Sequence, residues 1–245
     1  MEQFKAVSAE ETAKKEEYFE MNNMHNLSNV IRERSEMGMF SDYPHFYELR
    51  KEGSEDAFVY ANRSSENSDF IISLQKGVFC KYGKNYLGTV KANMLGTQFD
   101  FVDYGLDPSR MKDLPKGFYP VQRKVSSVEY DTNFFAEKPR AFKITHYDLK
   151  KKDKIIHKFE NVPPKFNEKR GCYTLNFFGR VSKASARNFQ LARTPEDGGE
   201  PEEEFLLSHG KCNKNNFNLD YREPFSSLTA LVVSLTAIGK KRVVG

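Results

Sequence analysis

From about Leu27 the chain is a succession of short apolar runs broken by Gly, Pro, Asn and Asp. Within several runs apolar and polar residues alternate: Phe217, Leu219 and Tyr221 against Asn216, Asn218 and Asp220, and Tyr173, Leu175 and Phe177 against Thr174 and Asn176. A period of two puts each set on its own face of a strand. The pattern predicts strands over 28–33, 44–50, 57–62, 69–76, 86–92, 97–103, 121–131, 141–148, 155–160, 172–182, 187–193, 203–208 and 215–221. About a dozen short strands joined by turn residues, with no internal repeat, point to a barrel or sandwich.

The segment Phe225 to Ile238 breaks this rhythm. It carries no charge, is apolar on nearly every side, and stands between Pro224 and Gly239, the usual punctuation of a helix. At ~1.5 Å per residue it reaches only ~21 Å, short of the ~30 Å core of a bilayer. A helix that is apolar all round and too short to span belongs inside protein, and a closed barrel around it meets that demand. The β-branched residues Val232, Val233 and Thr236 leave a buried strand as the alternative. At the other end, Ser8-Ala-Glu-Glu11 has capping-box spacing and opens a Glu/Lys-rich stretch running to about Met21. Its apolar face is thin (Ala13, Tyr18, Phe19, Met21), so a short, partly frayed helix is expected outside the main domain. The predicted division is an acidic amino-terminal extension over 1–26 and one β domain over 27–245.

Composition agrees with strands. Aromatics make up 13% of the 245 residues, 21 Phe and 12 Tyr with no Trp, and so many rings need a core to bury them. The net charge of +4 is uneven: residues 1–20 hold six Glu against three Lys, which leaves +7 on the remainder. That excess suits an anionic partner, lipid headgroup or nucleic acid, without choosing between them. Cys80, Cys172 and Cys212 show no paired spacing, and the amino terminus has no signal-peptide pattern, so reduced thiols in a cytoplasmic protein are expected.

Signatures of catalysis are missing. The five His residues are scattered, with no His-Glu-x-x-His and no Cys-x-x-Cys, and there is no Gly-x-Ser-x-Gly elbow. Gly77 to Lys84 misses the phosphate-loop spacing by one residue, and Asn85 stands where that loop needs Ser or Thr. Cys172, within an aromatic run, is expected to be a small core residue. The expectation is a protein that is not an enzyme and uses no cofactor or metal.

The same runs carry a resemblance. Gly88-Thr-Val-Lys-Ala-Asn-Met-Leu-Gly-Thr-Gln-Phe99, Val102-Asp-Tyr-Gly-Leu-Asp-Pro108, Val128-Glu-Tyr-Asp-Thr-Asn133, Pro163-Pro-Lys-Phe-Asn167, Tyr173-Thr-Leu-Asn-Phe-Phe-Gly-Arg-Val-Ser-Lys-Ala-Ser185, Arg187-Asn-Phe-Gln190 and Leu219-Asp-Tyr-Arg-Glu-Pro224 occur in order. This series resembles the carboxy-terminal domain of the tubby family over about residues 29–245. The resemblance implies a mainly β fold, a closed twelve-stranded antiparallel barrel around a central hydrophobic carboxy-terminal helix. It also implies a peripheral membrane adaptor that binds bisphosphorylated phosphoinositides at the inner face of the plasma membrane and can carry protein cargo.

In the resembled family a Lys-x-Arg pair on one strand meets the phosphates, and those positions fall at Thr89 and Lys91. A further family Arg falls at Gln122, with Arg123 and Lys124 beside it, and a family Asn falls at Asp69. The implied headgroup site is therefore Lys91, Thr89, Asp69, Gln122 and Arg123, weakened or re-tuned, with Arg123 or Lys84 as helpers. Asp69 is also placed to pair with Lys91 and neutralise it, and Lys91 has the alternative of being an ordinary solvated strand lysine. The clusters Lys150-Lys-Lys152, Lys169-Arg170 and Lys240-Lys-Arg242 are candidates for diffuse contact with anionic lipid. A nucleic-acid or transcription-linked binder and a scramblase-like lipid protein are the rival readings. The acidic stretch Glu196 to Glu204 counts against nucleic acid, and a monomer is expected.

Overall fold

The computed structural model describes residues 8–21, 24–35, 41–81, 83–110, 120–131, 141–169, 171–195 and 204–239. The Lys240 to Arg242 cluster, Arg170 and nearly all of the acidic stretch lie outside the described residues.

Among those residues the elements are α1 (Ala9–Glu16), a 3-10 turn (Glu17–Phe19), β1 (Asn26–Arg34), β2 (His45–Lys51), β3 (Ala57–Arg63), β4 (Phe70–Ser73), β5 (Tyr86–Ala92), β6 (Gln98–Asp103), β7 (Lys124–Tyr130), β8 (Phe142–Tyr147), β9 (Ile155–Asn161), β10 (Lys165–Asn167), β11 (Cys172–Thr174), β12 (Phe189–Arg193), β13 (Leu207–Lys211), β14 (Asn216–Tyr221) and α2 (Ser227–Ile238). Twelve strands close into a barrel in the order β1-β14-β13-β12-β9-β8-β7-β6-β5-β4-β3-β2, and β10 and β11 form a separate hairpin. Neighbours in the barrel pair antiparallel throughout. The expected barrel and its central helix are both present.

The alternation explains the packing. Along β1, β6 and β8 buried and half-exposed or exposed positions take turns, so Val30, Phe99, Phe101, Phe142 and Ile144 point at the axis. α2 fills that axis, and every residue from Leu228 to Ile238 is buried. Its first turn is closed by a capping box. The Ser226 hydroxyl accepts from the Thr229 amide at 3.3 Å, and the Ser226 amide donates to the Thr229 hydroxyl at 2.9 Å. Deeper in, the Thr236 hydroxyl donates to the Val233 carbonyl and lies 2.9 Å from the Tyr130 hydroxyl, so this polar group is satisfied in the core. The helix enters beside Tyr221, whose hydroxyl is 2.9 Å from Ser227, and ends beside Phe70 at the other end. Each fully buried Leu, Val or Ile contributes about 1.5–3 kcal/mol, so the axis is a large source of stability.

Several boundaries differ from the sequence expectation. The predicted 172–182 strand stops at Thr174, because Phe178 and Gly179 take positive φ (51° and 82°) and turn the chain. The alternation of Tyr173, Leu175 and Phe177 therefore lines no core: Tyr173 is exposed and Leu175 and Phe177 are only half-buried. Cys172 is exposed as well, not a core residue, since it sits on the β10–β11 hairpin outside the barrel. The strand predicted at 203–208 runs instead from Leu207 to Lys211. Its polar spelling hid it, for Ser208 and His209 are buried, and Gly210 is required where a Cβ would meet the Val181 side chain at 2.0 Å. The strand predicted at 121–131 begins only at Lys124. The amino-terminal helix forms, but it does not lie apart: Phe19 is 6% exposed and belongs to the barrel core. Among the described residues no helix is long and apolar enough to cross a membrane.

Two interior histidines have pH consequences. Burial holds the His146 imidazole down to about 3 and the His209 imidazole down to about 4, against an ordinary value of 6.5. As pH falls below about 6.5 the unfolded chain takes up protons that the folded barrel excludes, so stability is lost on acidification across that window. The thermal midpoint should fall between pH 7 and pH 5, and fall less in His146→Phe, measured by circular dichroism. Leu231, fully buried at mid-helix, gives a sharper test. Leu231→Asp puts an unpaired charge on the axis, should cost about 4 kcal/mol or more, and should leave insoluble or non-cooperatively melting protein.

Candidate functional site

The five headgroup positions singled out by the sequence lie on or beside β4 to β7, with Asp69 just before β4. On β5, Thr89 and Lys91 are two residues apart on a strand whose intervening Val90 is fully buried. Gly88 is required here, since a Cβ would come within 2.5 Å of the Val102 carbonyl oxygen and 2.7 Å of the Phe101 ring. The close approach locks β5 against β6, where Lys91 is registered with Asp100 and Thr89 with Val102.

The five residues separate into two places. Phe70 pairs with Val90, so Asp69, one residue earlier, lies across from Lys91. Asp69 does not take Lys91 as its partner; its carboxylate is 3.0 Å from the Lys81 Nζ. Lys81 comes from the long β4–β5 connection, which folds back along the outside of the barrel and packs Phe79 on Phe46 at 6.0 Å. Nothing in the spacing around Lys81 announces this, because a loop's path is fixed by what it lands on. Lys91 makes no salt bridge among the described residues. Its field reaches Asp107, whose carboxyl is held below the usual range chiefly by the Ser109 hydroxyl and amide, with Lys91 adding to the effect. On β7, Lys124 is tied to Asp100 at 3.0 Å, and Asp100 also accepts from the Ser127 hydroxyl at 2.6 Å. Thr89 is fully buried, its hydroxyl 2.6 Å from that of Tyr86, so it presents nothing to solvent.

Gln122 and Arg123 lie at the end where α2 enters. The Gln122 amide donates to the carbonyls of Asp103 at 3.4 Å and Gly105 at 3.3 Å. Gly105 admits this contact because a Cβ there would sit 2.5 Å from the Gln122 backbone nitrogen. Arg123 is clamped: Nε donates to Asp103 at 2.5 Å and Nη2 to Glu16 at 2.6 Å. Burial works against its charge, and the bonds to Glu16 and Asp103 more than offset that, so its pKa stands above the ordinary value. Glu16, which also accepts from the Tyr104 hydroxyl at 2.5 Å, is the last residue of α1. The amino-terminal segment thus shares with Asp103 the arginine that the sequence offered as a helper, and Lys81 is the cation that pairs with Asp69.

Comparison with known proteins bears on this barrel directly. The sequence profile of the Tub family matches residues 22–156 and 145–240. The chain belongs to the Tub family. It is 28% identical over 241 residues to "Tubby-related protein 2" of Mus musculus, covering 86% of this chain and 42% of that protein. It is 26% identical over 227 residues to "Tubby-related protein 1" of Homo sapiens, covering 81% and 40%. It is 26% identical over 235 residues to "Tubby-like F-box protein 6" of Arabidopsis thaliana, covering 74% and 57%. The chain therefore spans about half the length of the curated relatives it matches. The Tub profile begins at residue 22, so α1 and Phe19 lie before it.

The Arg123 clamp is testable. Asp103 is 1% exposed at its side chain, and two backbone amides, those of Gly105 and Arg123, share its charge. Removing the guanidinium in Arg123→Ala leaves that carboxylate half-compensated and should destabilise the barrel by about 2–3 kcal/mol. Adding Asp103→Asn to Arg123→Ala should recover a large part of the loss in urea denaturation, because no buried charge is then left over.

Proposed function

We propose that this Tub-family chain is a non-enzymatic adaptor that attaches peripherally to membranes by binding bisphosphorylated phosphoinositide headgroups at the outer face of β4 and β5. The supporting observation is the arrangement around Lys91. Of the two lysines on strands β4 to β7, Lys124 is neutralised by Asp100, and Lys91 makes no salt bridge among the described residues. Lys81 pairs with Asp69, the residue across from Lys91, so the three side chains carry one net positive charge. Immediately past Lys91, the β5–β6 turn is braced by Asn93, whose side-chain oxygen accepts from the Thr97 and Gln98 amides at 2.9 and 3.2 Å. That turn holds Met94 and Leu95 out to solvent, 86% and 55% exposed. A cation beside a rigid apolar tip suits the boundary between headgroups and acyl chains. The cytoplasmic face of the plasma membrane, rich in anionic lipid, is the proposed location, and a protein cargo the proposed passenger.

Thr89 and Gln122 take no part in this site, since one is buried and the other is spent on backbone carbonyls. Restoring the family's cations there would disturb the barrel, so the informative changes are at Asp69, Lys81 and Lys91. Flotation with vesicles containing phosphatidylinositol bisphosphate should show salt-sensitive binding. Lys91→Ala and Lys81→Ala should each weaken it more than Lys151→Ala does. Asp69→Asn removes an acid, worth about 1 kcal/mol at an anionic surface, and should tighten binding roughly fivefold. Met94→Ser with Leu95→Ser should weaken it without altering its salt dependence. Equal losses from Lys91→Ala and Lys151→Ala, with no gain from Asp69→Asn, would leave only diffuse attraction and sink the headgroup site.

A further inference from the structure

The β10–β11 hairpin stands outside the barrel, and one buried residue holds its root. The backbone carbonyl of Gln190, on β12, accepts from the Val162 amide at 2.8 Å, and the Gln190 side-chain amide donates to the Asn176 carbonyl at 2.9 Å. Pro163 and Pro164 stiffen the way out, and Gly171, at φ 61°, takes a left-handed conformation in the turn. Between these fixed points Phe166 and Tyr173 pair across the two strands, with ring centroids 5.3 Å apart and edge to face. The rings meet each other but belong to no core, and they stay 57% and 50% exposed. Two strands of three residues are marginal by themselves in water, and an exposed aromatic ridge on them marks a contact surface.

Charge and position say what covers it. Lys165 and Lys169 are exposed and make no salt bridge among the described residues. Residues 163–174 hold Lys165, Lys169 and Arg170 against Glu168, three cations to one acid, a net of +2. The hairpin also leaves the rim that carries the β5–β6 turn. The Tyr130 amide donates to the Thr97 carbonyl of that turn at 2.8 Å, and Tyr130 pairs with Phe142. The Phe142 amide in turn donates to the Asn161 side chain at 2.8 Å, and Val162 follows. This is the rim where α2 ends, since Thr236 meets Tyr130 there. We propose that the hairpin is a second membrane contact, in which Phe166 and Tyr173 enter the interfacial layer of an anionic bilayer and Lys165 and Lys169 lie among its phosphates. A bilayer interface takes aromatic rings flanked by lysines without demanding a matching shape. The proposal rests on the membrane reading above and adds a separate element to it, which anchors by burying rings and holds no headgroup pocket. With the Met94–Leu95 tip, the ridge gives one rim of the barrel two places to meet a single bilayer, which fixes its tilt.

The chain has no Trp, so a single one placed on the ridge is a site-specific reporter. The full chain carrying Phe166→Trp is mixed with phosphatidylcholine vesicles containing phosphatidylserine and phosphatidylinositol bisphosphate. Its emission should shift to the blue and be quenched by lipids brominated on their acyl chains. Ile155→Trp, at a position 46% exposed beside Ile156 on the rim where α2 enters, should keep its aqueous emission. Phe166→Ser with Tyr173→Ser should weaken flotation roughly tenfold, through the lost ring burial, and leave the thermal midpoint unchanged. Salt-sensitive binding that depends on Lys91, with the Phe166→Trp emission unmoved, would overturn the hairpin contact and leave the headgroup site standing. A blue shift with quenching on vesicles whose only anion is phosphatidylserine, unaffected by Lys91→Ala, would uphold the hairpin and remove the headgroup site. Equal quenching of both reporters would overturn the proposal. So would a blue shift that grows with protein concentration without vesicles, which would make the ridge a contact between two copies. No flotation with any of these vesicles sinks both readings.

Discussion

The constraint on which this molecule depends is the hydration of α2. A helix with eleven consecutive buried residues and no charged face cannot end its hydrophobic surface anywhere except in an enclosure. A sandwich would leave one side of it open. A sheet that closes on itself surrounds it, removes its own edges, and lets alternate residues of twelve strands pack inward. The barrel is thus shaped by its content, and the polar groups that travel with the helix are either capped, as at Ser226 and Thr229, or bonded across, as Thr236 is to Tyr130.

The two ends of that enclosure are built differently. At the entry end the amino-terminal segment lays Phe19 against Phe101 and Tyr104, with ring centroids 6.1 and 6.2 Å away. It fixes Lys15 by a bond to the Gly83 carbonyl at 3.3 Å. Glu16 joins Arg123 and, through it, buried Asp103. That arginine is part of the fold twice over, through Asp103 of the barrel and Glu16 of the segment. Phe19 and Glu16 thus help to build this mouth of the barrel.

The outer face of β4 to β7 shows how little separates a binding surface from a solvated one. Lys91, Asp69, Lys81, Asp100 and Lys124 alternate in sign across neighbouring strands, and pairing leaves Lys91 without a salt bridge among the described residues. Exposed pairs of this kind hold each other by ~1 kcal/mol or less, so the proposed headgroup would have little to displace. The same weakness would make the proposed site sensitive to single substitutions and to salt.

The chain's local pattern was sufficient for the parts governed by short-range physics. Short apolar runs bounded by turn residues gave β5 and β9, and alternation gave β14, nearly to the residue, while uniform apolarity with Pro224 and Gly239 gave the helix and its burial. The capping-box spacing from Ser8 to Glu11 located α1. What local pattern missed was set by partners distant in the chain. β13 is polar in spelling and buried in fact, because its serine and histidine are covered by neighbours that only barrel closure supplies. The run from Tyr173 to Phe177 alternates like a strand, but a turn at Phe178 and Gly179 takes it out of the barrel. Lys81 reaches Asp69 across twelve positions, and Glu16 reaches Arg123 across more than a hundred. The sequence could name Lys91, Asp69 and Arg123 as charges. Which of them meets solvent and which is consumed was decided by tertiary structure, since pairing depends on where strands and loops bring side chains together, and spacing along the chain does not encode it.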